Sequence, residues 1–320
     1  MRQKAGPKIA LLFCLLCAAI LLGIWKGAVN IPIAEIASEK YRIILYIRLA
    51  RIAISILAGA GLGVCGVALQ AILKNPLAEP YLLGTSSGAG LGAVVGIILG
   101  ISSAFLPLAA FIGAILSIVI VYNIALENGR IPAQSLILSG VIVAVSLSGV
   151  MVFLASVFSN KVMHGIVWWL LGSLQVYDLK LLLVVGSIVV IGIASVFFLA
   201  QDLNAISLGE EEATHLGVNI EAIKKILFFI CSLIIGSLVS ITGIIGFVGL
   251  IIPHMLRLVV GPNHKVLIPA TCFGAAAFLV LCDTFSRSLM PPIEIPIGVI
   301  TSLVGAPVFI ILLKRKKRIG

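Results

Sequence analysis

Few side chains of this sequence are placed to do chemistry, and their spacing says which reactions to consider. Cys14-Leu-Leu-Cys17 has the C-x-x-C spacing of a redox or metal-binding pair. It sits in an apolar stretch with no His or acidic neighbour. Cys65, Cys231, Cys272 and Cys282 also fall within or at the ends of apolar runs, where a free thiol acts as a small hydrophobe. His164 and His254 are of the type that ligates haem iron, but His164 stands beside Trp168 and Trp169, a pattern of interfacial anchoring. H-E-x-x-H, G-x-S-x-G and paired carboxylates at bilayer depth are all missing, which speaks against an intramembrane enzyme. G-x-x-x-x-G-K-[ST] is missing too, so any dependence on ATP must come from a partner. No catalytic residue, metal ligand or resident cofactor is assigned.

Two polar stretches remain. Asn75–Gly92 is a proline-bracketed turn that runs into a helix with glycines at 84, 88, 92, 96 and 100. Pro76 and Pro80 break the chain between two apolar runs, and the period of four lines the glycines along one helix face for close backbone approach. Asp202–Lys225 is acidic, with Glu210, Glu211, Glu212 and His215 polar and Leu208, Ala213 and Leu216 able to form a modest apolar stripe. Gly209 breaks the chain before it and Gly217 is placed as a C-cap. By composition alone this is a solvated acidic loop.

The elements that carry these stretches are membrane spans. The chain is 61% hydrophobic and 11% charged, outside the range of soluble globular proteins. No Asp, Glu, Lys or Arg falls between Glu79 and Glu127, Arg130 and Lys161, Lys180 and Asp202, or Lys225 and Arg257. A charge at mid-bilayer costs about 2.5–3.5 kcal/mol or more, so such runs mark spans. Ten are predicted, at about 8–26, 46–72, 81–100, 104–126, 133–157, 179–200, 223–244, 246–260, 265–286 and 295–313. The first, lacking a small-x-small cleavage site, reads as a retained helix rather than a signal peptide. Segments on the side of the termini hold 14 Lys and Arg and those opposite hold 8, which predicts cytoplasmic termini. The net charge of +10 is then a topology signal near anionic lipid, and no nucleic acid is expected as a partner.

Sliding the chain by 177 residues places Gly59, Gly66, Pro76 and Gly84 on Gly236, Gly243, Pro253 and Gly261. Copies at about 46–160 and 223–313 would start on opposite faces, the inverted repeat of transporters, within a single domain spanning 1–320.

Several stretches together resemble the permease subunits of bacterial ABC importers for ferric siderophores, haem and vitamin B12, the FecCD/BtuC-like type II importers. They are Asn75-Pro-Leu-Ala-Glu-Pro80 with Leu83-Gly84, Gly243-Ile-Ile-Gly-Phe-Val-Gly-Leu-Ile-Ile-Pro-His254 with Arg257, Glu294-Ile-Pro-Ile-Gly298, and Gly305-Ala-Pro-Val-Phe309. Arg48-Leu-Ala-Arg51 is similar to the family's R-L-P-R, with Ala50 in place of proline. The resemblance covers nearly the whole chain. It implies a homodimer with the pathway on the twofold axis, two ATPase subunits carrying ATP and Mg, and an extracytoplasmic binding protein, in the bacterial inner membrane.

By the same resemblance, Gly209, Glu210, Ala213, Leu216 and Gly217, within a segment at about 202–222, would couple to the ATPase. Arg48, Arg51 and Arg287 would dock the binding protein through exposed guanidinium groups; snorkelling at helix ends is the competing account. Pro132, Ala133, Gln134, Ser135 and Ser139 would form the cytoplasmic gate and pathway, where small-residue packing competes. Asn75, Pro76, Pro80, Gly84 and Pro253 would be structural turns, and His254 would belong to the family pattern whatever the cargo. The expected function is passage of a metal chelate, a ferric siderophore before haem or cobalamin, by alternating access. The alternative is an ion-coupled secondary transporter, which the near absence of ionisable residues in the runs disfavours.

Overall fold

The structure, a computed structural model, describes residues 5–29, 32, 38–158, 160–176 and 178–317. The helices are α1 (Ala5–Trp25), α2 (Arg42–Ile72), α3 (Thr85–Ile98), α4 (Leu106–Ala125), α5 (Ala133–Val157), α6 (Asn160–Leu170), α7 (Leu179–Phe198), α8 (Ala200–Leu208), α9 (Glu210–His215), α10 (Ile220–Thr242), α11 (Val248–Val260), α12 (His264–Ser288) and α13 (Ile297–Lys317). The ten expected spans are α1 to α5, α7 and α10 to α13. Seven of them are long and apolar enough to cross a bilayer unaided, while α3, α11 and α13 are shorter. The 14 residues of α3 rise only about 21 Å, so the broken segments before α3 and α11 must lie below the surface of the bundle. The structure adds α6 and α8, which the run of spans does not contain. The third span begins later than expected, at Thr85, because Pro80–Leu83 forms a separate 3₁₀ turn ended by Gly84 at φ 73°.

α2 is the central helix, buried almost without interruption from Ser55 to Leu73. Lipid offers no hydrophobic drive for helices to associate, so packing must come from close backbone approach. α2 lies along α12, and α10 lies along α4. At Gly66 a Cβ would collide with the carbonyl oxygen of Gly249, and at Gly59 with that of Ala275. The glycine ridge of α3 works the same way against α4: Gly88 abuts Gly113 and Gly92 abuts Ala109. Gly100 faces open space and is a turn rather than part of the ridge.

The two chain breaks meet inside the bundle. Asn75 Oδ1 accepts the N–H of Leu77 at 2.9 Å, making the local turn. Tyr81 Oη donates to the carbonyl of Ile245 at 3.1 Å and accepts the Ile245 N–H at 3.0 Å. Glu79 Oε1 accepts the N–H of Phe247 at 2.9 Å, and Gln70 Nε2 donates to the carbonyl of Leu250 at 3.2 Å. The 73–84 break thus supplies partners for backbone groups freed by the 243–247 break, as buried irregular backbone requires. Pro76 and Pro80 belong to the first of these breaks, but Pro253 corrects the expectation of a turn: it lies buried inside α11, and the second break precedes that helix at 243–247.

Candidate functional site

At one end of the bundle α8 and α9 form an elbow. Gly209 has φ 156° and ψ 155°, a conformation open essentially to glycine alone. A Cβ there would also collide with the Glu212 carboxylate. Gly217, at φ 83°, closes α9. Its N–H donates to Thr214 O at 2.9 Å and that of Val218 to Ala213 O at 3.0 Å, the paired bonds of a Schellman cap. Ala213 is buried against Ala205, Ile206 and Ile220. The expected apolar stripe does not form: Leu208 and Leu216 are 72% and 66% exposed, at the two ends of the elbow, while Ala213 turns in.

Glu210 is held at this end by two cations. Its Oε1 lies 3.1 Å from Lys224 Nζ and 3.5 Å from Lys74 Nζ. Partial burial raises its pKa, but the pull of Lys224 and Lys74 outweighs that and leaves Glu210 below its ordinary value. Lys224 is buried and also lies 3.5 Å from Glu221 Oε1. The other oxygen of Glu221 accepts the backbone N–H of Ile131 at 3.0 Å. Lys225 donates to Gly129 O at 3.0 Å.

These bonds bring α9 beside the start of α5. A cavity of about 780 Å³ lies between them, with Pro132, Ala133 and Gln134 on one wall and Glu210, Glu211 and Thr214 on the other. Two groups of site residues, separated by about 80 positions in the chain, therefore share one groove. Ser135 stands nearby and donates to the Glu127 carboxylate. Ser139 does not join them: it is 3% exposed on the packed side of α5, and the next residue, Gly140, is pressed against Leu82 O. The free side of α5 carries Leu138, Ile142, Val145 and Gly149 instead.

At the opposite end the three arginines are not exposed, which corrects the expectation. Arg48, Arg51 and Arg287 are 3%, 5% and 4% exposed. Arg51 Nη2 lies 2.7 Å from Asp283 Oδ1 and Nη1 lies 2.6 Å from Glu294 Oε2. Arg287 Nε lies 2.9 Å from Asp283 Oδ2. Arg48 donates to the carbonyls of Ile24 and Trp25 at 2.6 and 2.9 Å, and to that of Val29. Partial burial raises the pKa of Glu294, but Arg51 outweighs that and holds it below the ordinary value. Arg51 and Arg287 thus share Asp283, Glu294 takes the other arm of Arg51, and Arg48 is held by backbone carbonyls, so that the cluster joins α1, α2, α12 and the turn before α13. Gln175 Nε2 donates to the rim carboxylate of Glu294 at 2.8 Å.

Asp283 and Glu294 carry this end and escaped the reading of site residues. One signal was available: Asp283 is the single carboxylate inside the ten expected spans, with Arg287 at i+4. Glu221 and Lys224 were equally missed, and nothing in their spacing singles them out. Cys14 and Cys17 are free thiols on α1, exposed and half-buried respectively, and His254 is half-buried on α11. The side chain of His164 lies outside the described residues.

Comparison with known proteins places this architecture. The cobalamin import system permease BtuC of Halobacterium salinarum is 41% identical over 275 residues, covering 85% of this chain and 73% of that protein. The hemin transport system permease HmuU of Yersinia pestis is 33% identical over 337 residues, covering both chains in full. A solved inward-facing conformation of a metal-chelate type ABC transporter superposes with a TM-score of 0.87 at 31% identity, over 97% of this chain and 99% of that one. Residues 12–315 match the FecCD transport family. The chain belongs to the FecCD transport family of ABC importer permeases.

Proposed function

We propose that this chain, as a homodimer, forms the passage through which a metal chelate enters the cell, driven by two separate ATPase subunits. The observation that carries this reading is the groove shared by α9 and the start of α5. A segment exposed at the end of the bundle, with Leu208 and Leu216 turned outward, faces across this groove the helix that would gate the passage. In this reading Gly209 and Gly217 set the shape of the coupling elbow, Ala213 seats it on α8 and α10, and Glu210 anchors it. ATP and Mg are held by the partner subunits, and this chain performs no covalent chemistry.

The end carrying α9 is assigned to the cytoplasm together with both termini, in line with the basic excess there. The arginine end then faces a binding protein. With three cations to two anions the cluster keeps one positive charge in excess, which would attract an acidic rim on that partner and speed its docking. Arg48, Arg51 and Arg287 act there chiefly by shaping the surface, since their guanidinium groups are engaged within the chain. The cargo is proposed as a ferric siderophore. Haem and cobalamin belong to the same class, and the names of the relatives support a metal chelate.

Co-expression with the ATPase subunit tests the reading. The expected result is a stable complex with two ATPase subunits per permease pair, lost when Ala213 is replaced by Arg. Uptake of the chelate by permease alone would favour an ion-coupled carrier instead.

A further inference from the structure

We infer that Glu221 and Lys224, in the first two turns of α10, are positioning residues that transmit movement of the coupling helix to the gate helix. The inference rests on the proposed function and deepens it. The path is continuous: Glu210 on α9 pairs with Lys224 at 3.1 Å, Lys224 lies 3.5 Å from one oxygen of Glu221, and the other oxygen accepts the Ile131 N–H at 3.0 Å. Ile131 is buried and immediately precedes Pro132, the N-cap residue of α5. Proline has no N–H to offer, so the Ile131 donor is the last backbone handle before the helix.

A cavity of about 780 Å³ separates Gln134 from Glu211 and Thr214, and the charged chain runs along its floor. Lys224 is 8% exposed at its side chain, while its partners Glu210 and Glu221 are 44% and 31% exposed, so the relay runs from the groove surface to a buried cation. Lys74, at the end of α2, pairs with the same Glu210 oxygen at 3.5 Å. A push on α9 would therefore reach α5 through Glu221 while α2 shares the load. Coupling of this kind needs a physical connection whose members move together.

The test compares Glu221→Ala with Glu221→Gln in the reconstituted permease–ATPase complex, reading transport and ATP hydrolysis separately. Gln keeps a neutral acceptor for the Ile131 N–H and Ala removes it. The expected result is that Glu221→Ala assembles and hydrolyses ATP but transports about tenfold less per ATP, within the usual range of coupling energies. Glu221→Gln recovers most of that ratio. An unchanged ratio in Glu221→Ala, or loss of assembly with the ATPase, overturns the inference. A second measurement works without altering the relay: spin labels on Gln134 and Glu211 report the width of the groove. The width should stay constant between nucleotide-free and ATP-bound complexes, and separation of the labels overturns the inference. Failure of the wild-type complex to hydrolyse ATP on addition of loaded binding protein would count against the proposed function instead.

Discussion

Arg51 and Asp283 form a buried ion pair at 2.7 Å between α2 and α12, at 232 residues' separation. Asp283 is 1% exposed and also carries Arg287. Removing it would leave two buried cations sharing only Glu294. Breaking a buried pair from one side costs about 3–5 kcal/mol. Asp283→Ala should therefore markedly lower the melting temperature of the purified permease in detergent, and Asp283→Asn should lower it less. Equal stability of wild type and Asp283→Ala would remove the cluster from the account of the fold.

The close approach of α2 to α11 makes Gly66 sensitive to a single methyl group. A Cβ there would meet the Gly249 carbonyl oxygen, and overpacking of this kind costs about 1–3 kcal/mol. Gly149 on α5 faces open space, so Gly149→Ala should change the stability of the isolated chain by no more than about 0.5 kcal/mol. Thermal unfolding of the two variants should differ accordingly.

Glu79 predicts a pH dependence. Burial pushes its carboxyl group above the ordinary range, and the hydrogen bond from the Phe247 N–H offsets this only in part. The native state therefore binds this proton more tightly than the unfolded chain does. Its contribution to stability is fully present below the unfolded pKa, near about 4.3, and is lost as pH rises through the raised native value. Glu79→Gln keeps an acceptor for Phe247 and does not titrate. Its melting temperature relative to wild type should rise across that window and level off above it. A difference independent of pH would contradict the assignment.

Gly217 separates folding from coupling. Its φ of 83° is needed for the Schellman cap, but no atom lies within 4 Å of a Cβ placed there. Left-handed backbone costs a non-glycine residue about 1–2 kcal/mol, borne locally at the end of α9. Gly217→Glu should express and melt close to wild type while losing transport, measured as chelate uptake per ATP hydrolysed. Normal uptake by that variant would sever α9 from the mechanism.

How much of this was readable beforehand follows from the physics of each feature. The spans α3, α4 and α5 and most of α7, α10 and α11 were legible because charge is excluded from the bilayer core and they fill the runs without charge, whereas α2 and α12 carry charges within them and were legible from their apolar length. The α3 ridge was legible from glycines four apart, since backbone contact needs a surface without side chains. The Gly209 and Gly217 positions were legible because helix ends have strong chemical signatures. The burial of Arg51 was not, because Asp283 and Glu294 are 232 and 243 residues away and only the fold brings them together. The same holds for Glu221 and Ile131, 90 residues apart. The exposure of Leu208 and Leu216 was not legible either, because the chain turns at Gly209 between α8 and α9 and spacing within one continuous helix does not reveal that break.

The central claim is that this chain admits a metal chelate under the control of an ATPase partner. Its most direct test is ATP hydrolysis by the permease reconstituted with its ATPase subunit, measured with and without binding protein loaded with candidate chelates. The account predicts stimulation by one loaded chelate, which would also name the cargo. No association with any ATPase subunit, even after co-expression, would contradict it.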